Sequence, residues 1–129
     1  MRNQSAKFRA RAAEVRPFRK ALIQRVGHCE VCGHDPNRVR PGMIAWEMCC
    51  HEILNGPLRQ KCLDKAHSLL VVCWVCNSER LTNKVEYPEA RQLAILRASR
   101  PDDFDLAKHN ALANPNAPNR VTLEEIDAW

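Results

Sequence analysis

At 129 residues the chain has room for one domain, or for one small domain with tails. Leu, Ile, Val and Phe make up only about 22% of it, so the aliphatic core is small and needs another support. The net charge of +5 is unevenly spread, at +7 over residues 1–40, +2 over 41–100 and −4 over 101–129. The longest apolar run, Leu69 to Cys76, is too short to cross a bilayer, and no apolar stretch follows the N-terminal charges as a secretory signal requires.

Residues 5–26 read as helical, with a break at Pro17 and a stop at Gly27. In the second half, Phe18, Leu22, Ile23 and Val26 share one face, and Arg16, Arg19, Lys20 and Arg25 stay mostly outside. With the local charge of +7, these four are candidate phosphate contacts. Residues 28–40 read as a metal knuckle and loop. A strand is expected over Ile44–Cys50, a turn at Asn55-Gly56-Pro57, and a short helix or ordered loop over 58–67. Leu69–Trp74 is rich in β-formers and reads as a buried strand. A tight turn over Val75–Asn77 should lead into a helix beginning within Asn77–Thr82. Further helices are expected over Glu89–Ser99 and Asp105–Ala113, with a loop at Asn114–Asn119. A last helix starts at Thr122, with Glu125 completing a capping box. The acidic tail shows no obvious chemistry.

Cysteine is the informative residue. There are seven, an odd number that suits a disulfide framework poorly and points to an intracellular chain. Cys29-x2-Cys32 and Cys73-x2-Cys76 form two C-x-x-C pairs. Two such pairs supply the four thiolates of a structural Zn2+ site, and the metal would support the small core. Loss of that metal should unfold residues 28–85. A rival grouping, Cys49, Cys50, His51 and Cys62, would make a second zinc site. It is hampered because adjacent residues of a strand point to opposite faces.

Between the knuckles lies Cys49-Cys50-His51-Glu52-Ile53-Leu54-Asn55-Gly56-Pro57, and Asn77 follows the second knuckle. This order of C-x-x-C, strand with His, N-G-P and L-L-V-V-C-W-V-C-N resembles the HNH or His-Me finger nucleases. It is most similar to their zinc-bearing branch, which includes phage HNH proteins and phage recombination endonuclease VII. The resemblance covers about residues 28–83. It implies a small α+β fold, with a zinc-stapled ββα-metal core at 28–85 between a basic helical arm (1–27) and a helical tail (86–129).

The resemblance further implies metal-dependent hydrolysis of DNA phosphodiester bonds, on double-stranded or branched DNA, by a phage-encoded protein in a bacterial host. His51 would be the general base and Asn77 a ligand of the catalytic cation, Mg2+ or Mn2+. Arg59, Lys61 and Arg80 would hold neighbouring phosphates. Cys50 stands where the branch usually has a metal-binding Asp or His, and a thiolate suits Mg2+ poorly. Either Glu52 or Glu47 takes that role, or a softer metal serves, or catalysis is lost. The other readings are a non-catalytic zinc module that binds nucleic acid and a regulatory zinc domain that uses its acidic tail. The oligomeric state stays open, with a homodimer through the N-terminal helices allowed.

Overall fold

The computed structural model describes residues 6–116 and 120–129. A long helix, α1 (Ala6–Val26), precedes the first knuckle. The knuckle loop leads to a two-stranded antiparallel sheet, β1 (Met48–Glu52) and β2 (Leu69–Cys73), with 3-10 turns at Gly56–Cys62 and Ala66–Ser68 between the strands. A π-turn, Cys76–Arg80, follows β2. Three helices complete the chain: α2 (Glu89–Ser99), α3 (Leu106–Ala113) and α4 (Leu123–Asp127). No helix among the described residues is long and apolar enough to cross a membrane.

The sheet is small but has two well-defined faces. Met48 pairs with Cys73, Cys50 with Val71, His51 with Leu70 and Glu52 with Leu69. Side chains alternate along each strand, so Cys50, Leu69 and Val71 meet Leu22 of α1. Leu70 and Val72 take the other face, against Leu93 and Leu96 of α2 and Ile126 of α4. All five residues of β2 are buried, as a strand covered on both sides must be. Cys29, Cys73 and Cys76 belong to the same core as α2 and α4. Loss of a metal from the knuckles should therefore disturb the C-terminal helices too, and not residues 28–85 alone.

Several elements differ from the sequence reading. Pro17 does not break the first helix, which runs unbroken from Ala6 to Val26. Proline removes one intrahelical hydrogen bond, but contacts on both sides of it hold the helix to the core. Arg11 pairs with Asp64, Arg19 with Glu52, and Arg25 with Asp103. Phe18 is 39% exposed, and Val15, outside the expected face, is buried. The first strand starts four residues later than Ile44, at Met48. Met43–Glu47 instead forms an exposed segment whose Trp46 stacks on Trp74, with ring centroids 6.5 Å apart. Trp74 and Val75 are already helical, so no separate turn intervenes before Asn77. The expectations for α2, for a short helix ending at Ala113 and for the Thr122–Glu125 capping box agree with the structure; α3 starts one residue later than expected, with Asp105 as its cap. Residues 117–119 of the expected loop lie outside the described residues.

Two buried polar hubs join the elements. Glu30 donates its backbone N–H to Val71 O at 2.8 Å, and its carboxylate accepts from Val71 N at 2.7 Å. That carboxylate also pairs with Arg100 at 2.9 Å, with side-chain exposures of 0% and 6%. Arg100 further donates to Ala66 O, to Asp103 and to Leu69 O. It thereby ties the knuckle, β2 and the end of α2 together. The second hub is a chain in which His109 Nδ1 lies 2.7 Å from Ser68 Oγ and its Nε2 lies 3.0 Å from Glu89. Burial alone would raise the Glu89 pKa, but hydrogen bonds from His109 and Arg120 hold it below the usual carboxylate range. Removing one partner of a buried ion pair leaves the other charge stranded. Arg100→Ala should therefore lower stability by about 3–5 kcal/mol, read as a lower urea midpoint.

Candidate functional site

The two C-x-x-C pairs converge. The sulfurs of Cys29, Cys32, Cys73 and Cys76 all lie within 4.8 Å of one another. Cys32 Sγ and Cys73 Sγ are 3.7 Å apart, near the roughly 3.8 Å edge of a tetrahedron built on zinc–sulfur bonds of about 2.3 Å. That separation is far longer than a disulfide bond, and all seven cysteines are free thiols. The donor set and its spacing fit zinc. Gly33, with φ of 81°, takes the left-handed turn behind the first pair, and its N–H donates to Cys29 O. Arg80 donates to Cys76 Sγ at 2.8 Å, an outer-shell contact that favours the thiolate against the burial that pushes this thiol up.

The rival cysteine grouping does not form. Cys50 Sγ points to Arg19 O of α1. Cys62 is buried, its thiol directed at Leu54 O and Arg59 O. Burial pushes Cys62 up to about 12 and Cys49 up to about 11. The four knuckle cysteines form the one metal-ligating cluster among the described residues.

His51 and Asn77 meet across the sheet and the π-turn. His51 Nδ1 lies 3.0 Å from the Asn77 carboxamide oxygen. This depends on β2, which runs back along β1 and delivers Cys76 and Asn77 beside the strand that carries His51. In the π-turn Leu81 N–H donates to Cys76 O, five residues back, a geometry often found at functional sites.

The other ring nitrogen has a partner that the sequence did not suggest. His51 Nε2 lies 3.1 Å from Gln92 Oε1 on α2. Gln92 is 1% exposed, and its amide nitrogen donates to Tyr87 O at 3.0 Å. That second bond orients the amide, so its oxygen must face the histidine. His51 therefore donates from Nε2, and the neutral ring keeps its lone pair on Nδ1. A neutral ring meets Asn77 through the amide nitrogen and a charged ring through the oxygen, a half-turn apart. Burial, followed by the nearby Lys84 cation, lowers the His51 pKa, although hydrogen bonds to Asn77 and Gln92 oppose this. The lowered pKa favours the neutral imidazole, whose Nδ1 lies against the Asn77 carboxamide.

The remaining sequence candidates separate. Cys50 and Glu52 lie on the α1 face of the sheet, away from His51. Glu52 is engaged by Arg19 Nη1 at 3.3 Å, and Arg19 also donates to Cys50 O at 2.8 Å. Neither joins Asn77 in a ligand set. Strand alternation is the reason, since residues flanking His51 must face the other way. Arg16, Arg19, Lys20 and Arg59 line one groove beside α1. Arg25 is tied to Asp103 and Arg80 to Cys76, and Lys61 stands exposed on the 3-10 turn. Gln92 had one sequence signal: it is a polar residue at the core-facing register of α2, four positions before Leu96.

Comparisons with known proteins add no assignment. No family model matches the chain, no curated protein matches it, and no solved structure matches it.

Two measurements check this geometry. The purified chain should hold one zinc, and Cys32→Ser should lose it; Cys32 is the exposed member of the four, so ligation is tested rather than packing. Chelation should abolish cooperative thermal unfolding followed by circular dichroism. By NMR, His51 should titrate below 6.5 with the proton on Nε2, and Gln92→Leu should remove that tautomer preference. The sign for stability follows. The unfolded chain takes up the proton first as pH falls, so the His51 contribution is complete above about pH 6.5 and declines below it until the folded imidazole also titrates.

Proposed function

We propose that the protein is a zinc-stapled nuclease of the ββα-metal type, hydrolysing phosphodiester bonds in DNA with His51 as general base. The observation that carries this reading is the convergence of His51, Asn77 and Gln92 beside the four-cysteine cluster, at the junction of β1, β2 and the π-turn. Gln92 holds the ring through Nε2, and Nδ1 takes a proton from an attacking water when the Asn77 carboxamide that faces it turns away. Burial keeps that nitrogen unprotonated at neutral pH. Lys84, whose own pKa is lowered by burial, adds positive charge near the histidine and suits an anionic substrate.

A divalent cation in such an enzyme stabilises charge on the phosphate. This pocket offers it little. Asn77 can lend one neutral oxygen, but Cys50 and Glu52 face α1 and Glu47 lies outside any metal-ligating cluster among the described residues. The donor set does not fit a tightly held Mg2+.

That misfit favours a second reading, a non-catalytic zinc module that binds nucleic acid through its basic helix. Plasmid nicking separates the two. Nicking in Mg2+, Mn2+ or Ni2+ should fall by about 10²–10⁴-fold in His51→Ala. Equal nicking by that variant, or none by the parent in any of the three metals, ends the nuclease reading. Retained DNA binding at low salt would then leave the zinc module.

A further inference from the structure

Five of the seven cations of α1 divide into two sets. Arg11, Arg19 and Arg25 turn inward to Asp64, Glu52 and Asp103 and hold the helix on the core. Arg16 and Lys20, four residues apart on one helix face, are exposed and make no ion pair among the described residues. Between α1 and the 3-10 turn runs a groove of about 480 Å³, with Arg16 and Lys20 on one wall and Arg59 on the other. This volume lies within the range of about 300–1,000 Å³ that holds small ligands. Its floor is apolar, formed in part by Val15 and Leu63. Its one carboxylate, Glu52, is already matched by Arg19.

We propose that this groove seats one nucleotide of an unpaired nucleic-acid strand. Arg16, Lys20 and Arg59 take the phosphate, and the apolar floor takes the sugar and the base face. A duplex presents its charged backbone outward and has no use for that floor, whereas an unpaired nucleotide offers both kinds of surface. The groove lies on the α1 face of the sheet and His51 lies on the α2 face. The seat is therefore an anchor, separate from the site of any hydrolysis. It rests on the reading of the protein as nucleic-acid binding and is independent of whether His51 is catalytic.

The test uses the zinc-loaded chain with no other divalent metal and a labelled oligothymidylate of about 20 nucleotides, followed by fluorescence anisotropy. Arg16→Ala/Lys20→Ala should weaken binding at least about 10-fold and lower the salt slope by about 0.7, the value for one lost single-strand phosphate contact. Both positions are exposed on a helix, where alanine is well tolerated, and an unchanged melting temperature verifies the fold. Arg38→Ala/Arg40→Ala removes the same charge from the knuckle loop, where Arg38 is 87% exposed, and should leave binding within about 3-fold of the parent. His51→Ala should bind like the parent even if it no longer nicks, which separates this seat from the hydrolytic reading. The proposal is overturned if the groove variant binds like the parent or if the knuckle-loop variant loses as much. It is equally overturned if a matched duplex loses as much affinity, or if polyglutamate competes as well as the oligonucleotide does.

Discussion

Four sulfurs drawn to one point fix the geometry of this protein. Cys29 and Cys32 lie just after the first helix, and Cys73 and Cys76 lie where β2 passes into the π-turn. Closing that cluster pins the end of β2, and with it the position of Asn77, against β1. In a chain with so few large aliphatic residues, a metal held by these sulfurs would supply folding free energy that the core alone does not. It also spares the candidate site from resting on loops, since His51 and Asn77 sit on elements the cluster holds in place.

Alternation along β1 then decides the chemistry. His51 turns toward α2, and its neighbours Cys50 and Glu52 turn toward α1. A proton acceptor and a hard-metal ligand set therefore cannot be drawn from consecutive residues within this strand. One face of the sheet holds a histidine oriented by two carboxamides. The other holds a basic helix with a groove beside it.

The polar interior complements the cysteine cluster. Glu30 and Arg100 join the first knuckle to β2 and to the end of α2, and Ser68, His109 and Glu89 join α3 to the rest. These groups are nearly or fully satisfied, the condition under which a buried polar network orders a fold rather than weakening it. They also explain why the C-terminal helices are not an appendage. The helix that reads as a plain amphipathic segment supplies both Gln92 to the histidine and the packing of Leu93 and Leu96 against β2.

The sequence by itself determined the four cysteines of the candidate metal site, the buried second strand, the capping box of the last helix and, through the family resemblance, the pairing of His51 with Asn77. The cysteine pairs and the cap rest on short-range spacing, two residues between thiolates and three from cap to glutamate, and the strand rests on its run of β-formers. Only the tertiary structure decided that Pro17 sits inside an unbroken helix, because three ion pairs far apart in sequence hold both halves. Only it decided that Cys50 and Glu52 serve the α1 face, since the register of a strand against its partners is a long-range property. The same holds for Gln92, which lies 41 residues from His51 and reaches it because α2 packs across β2. Spacing in the chain fixes what neighbours can do together, whereas packing fixes which distant groups become neighbours.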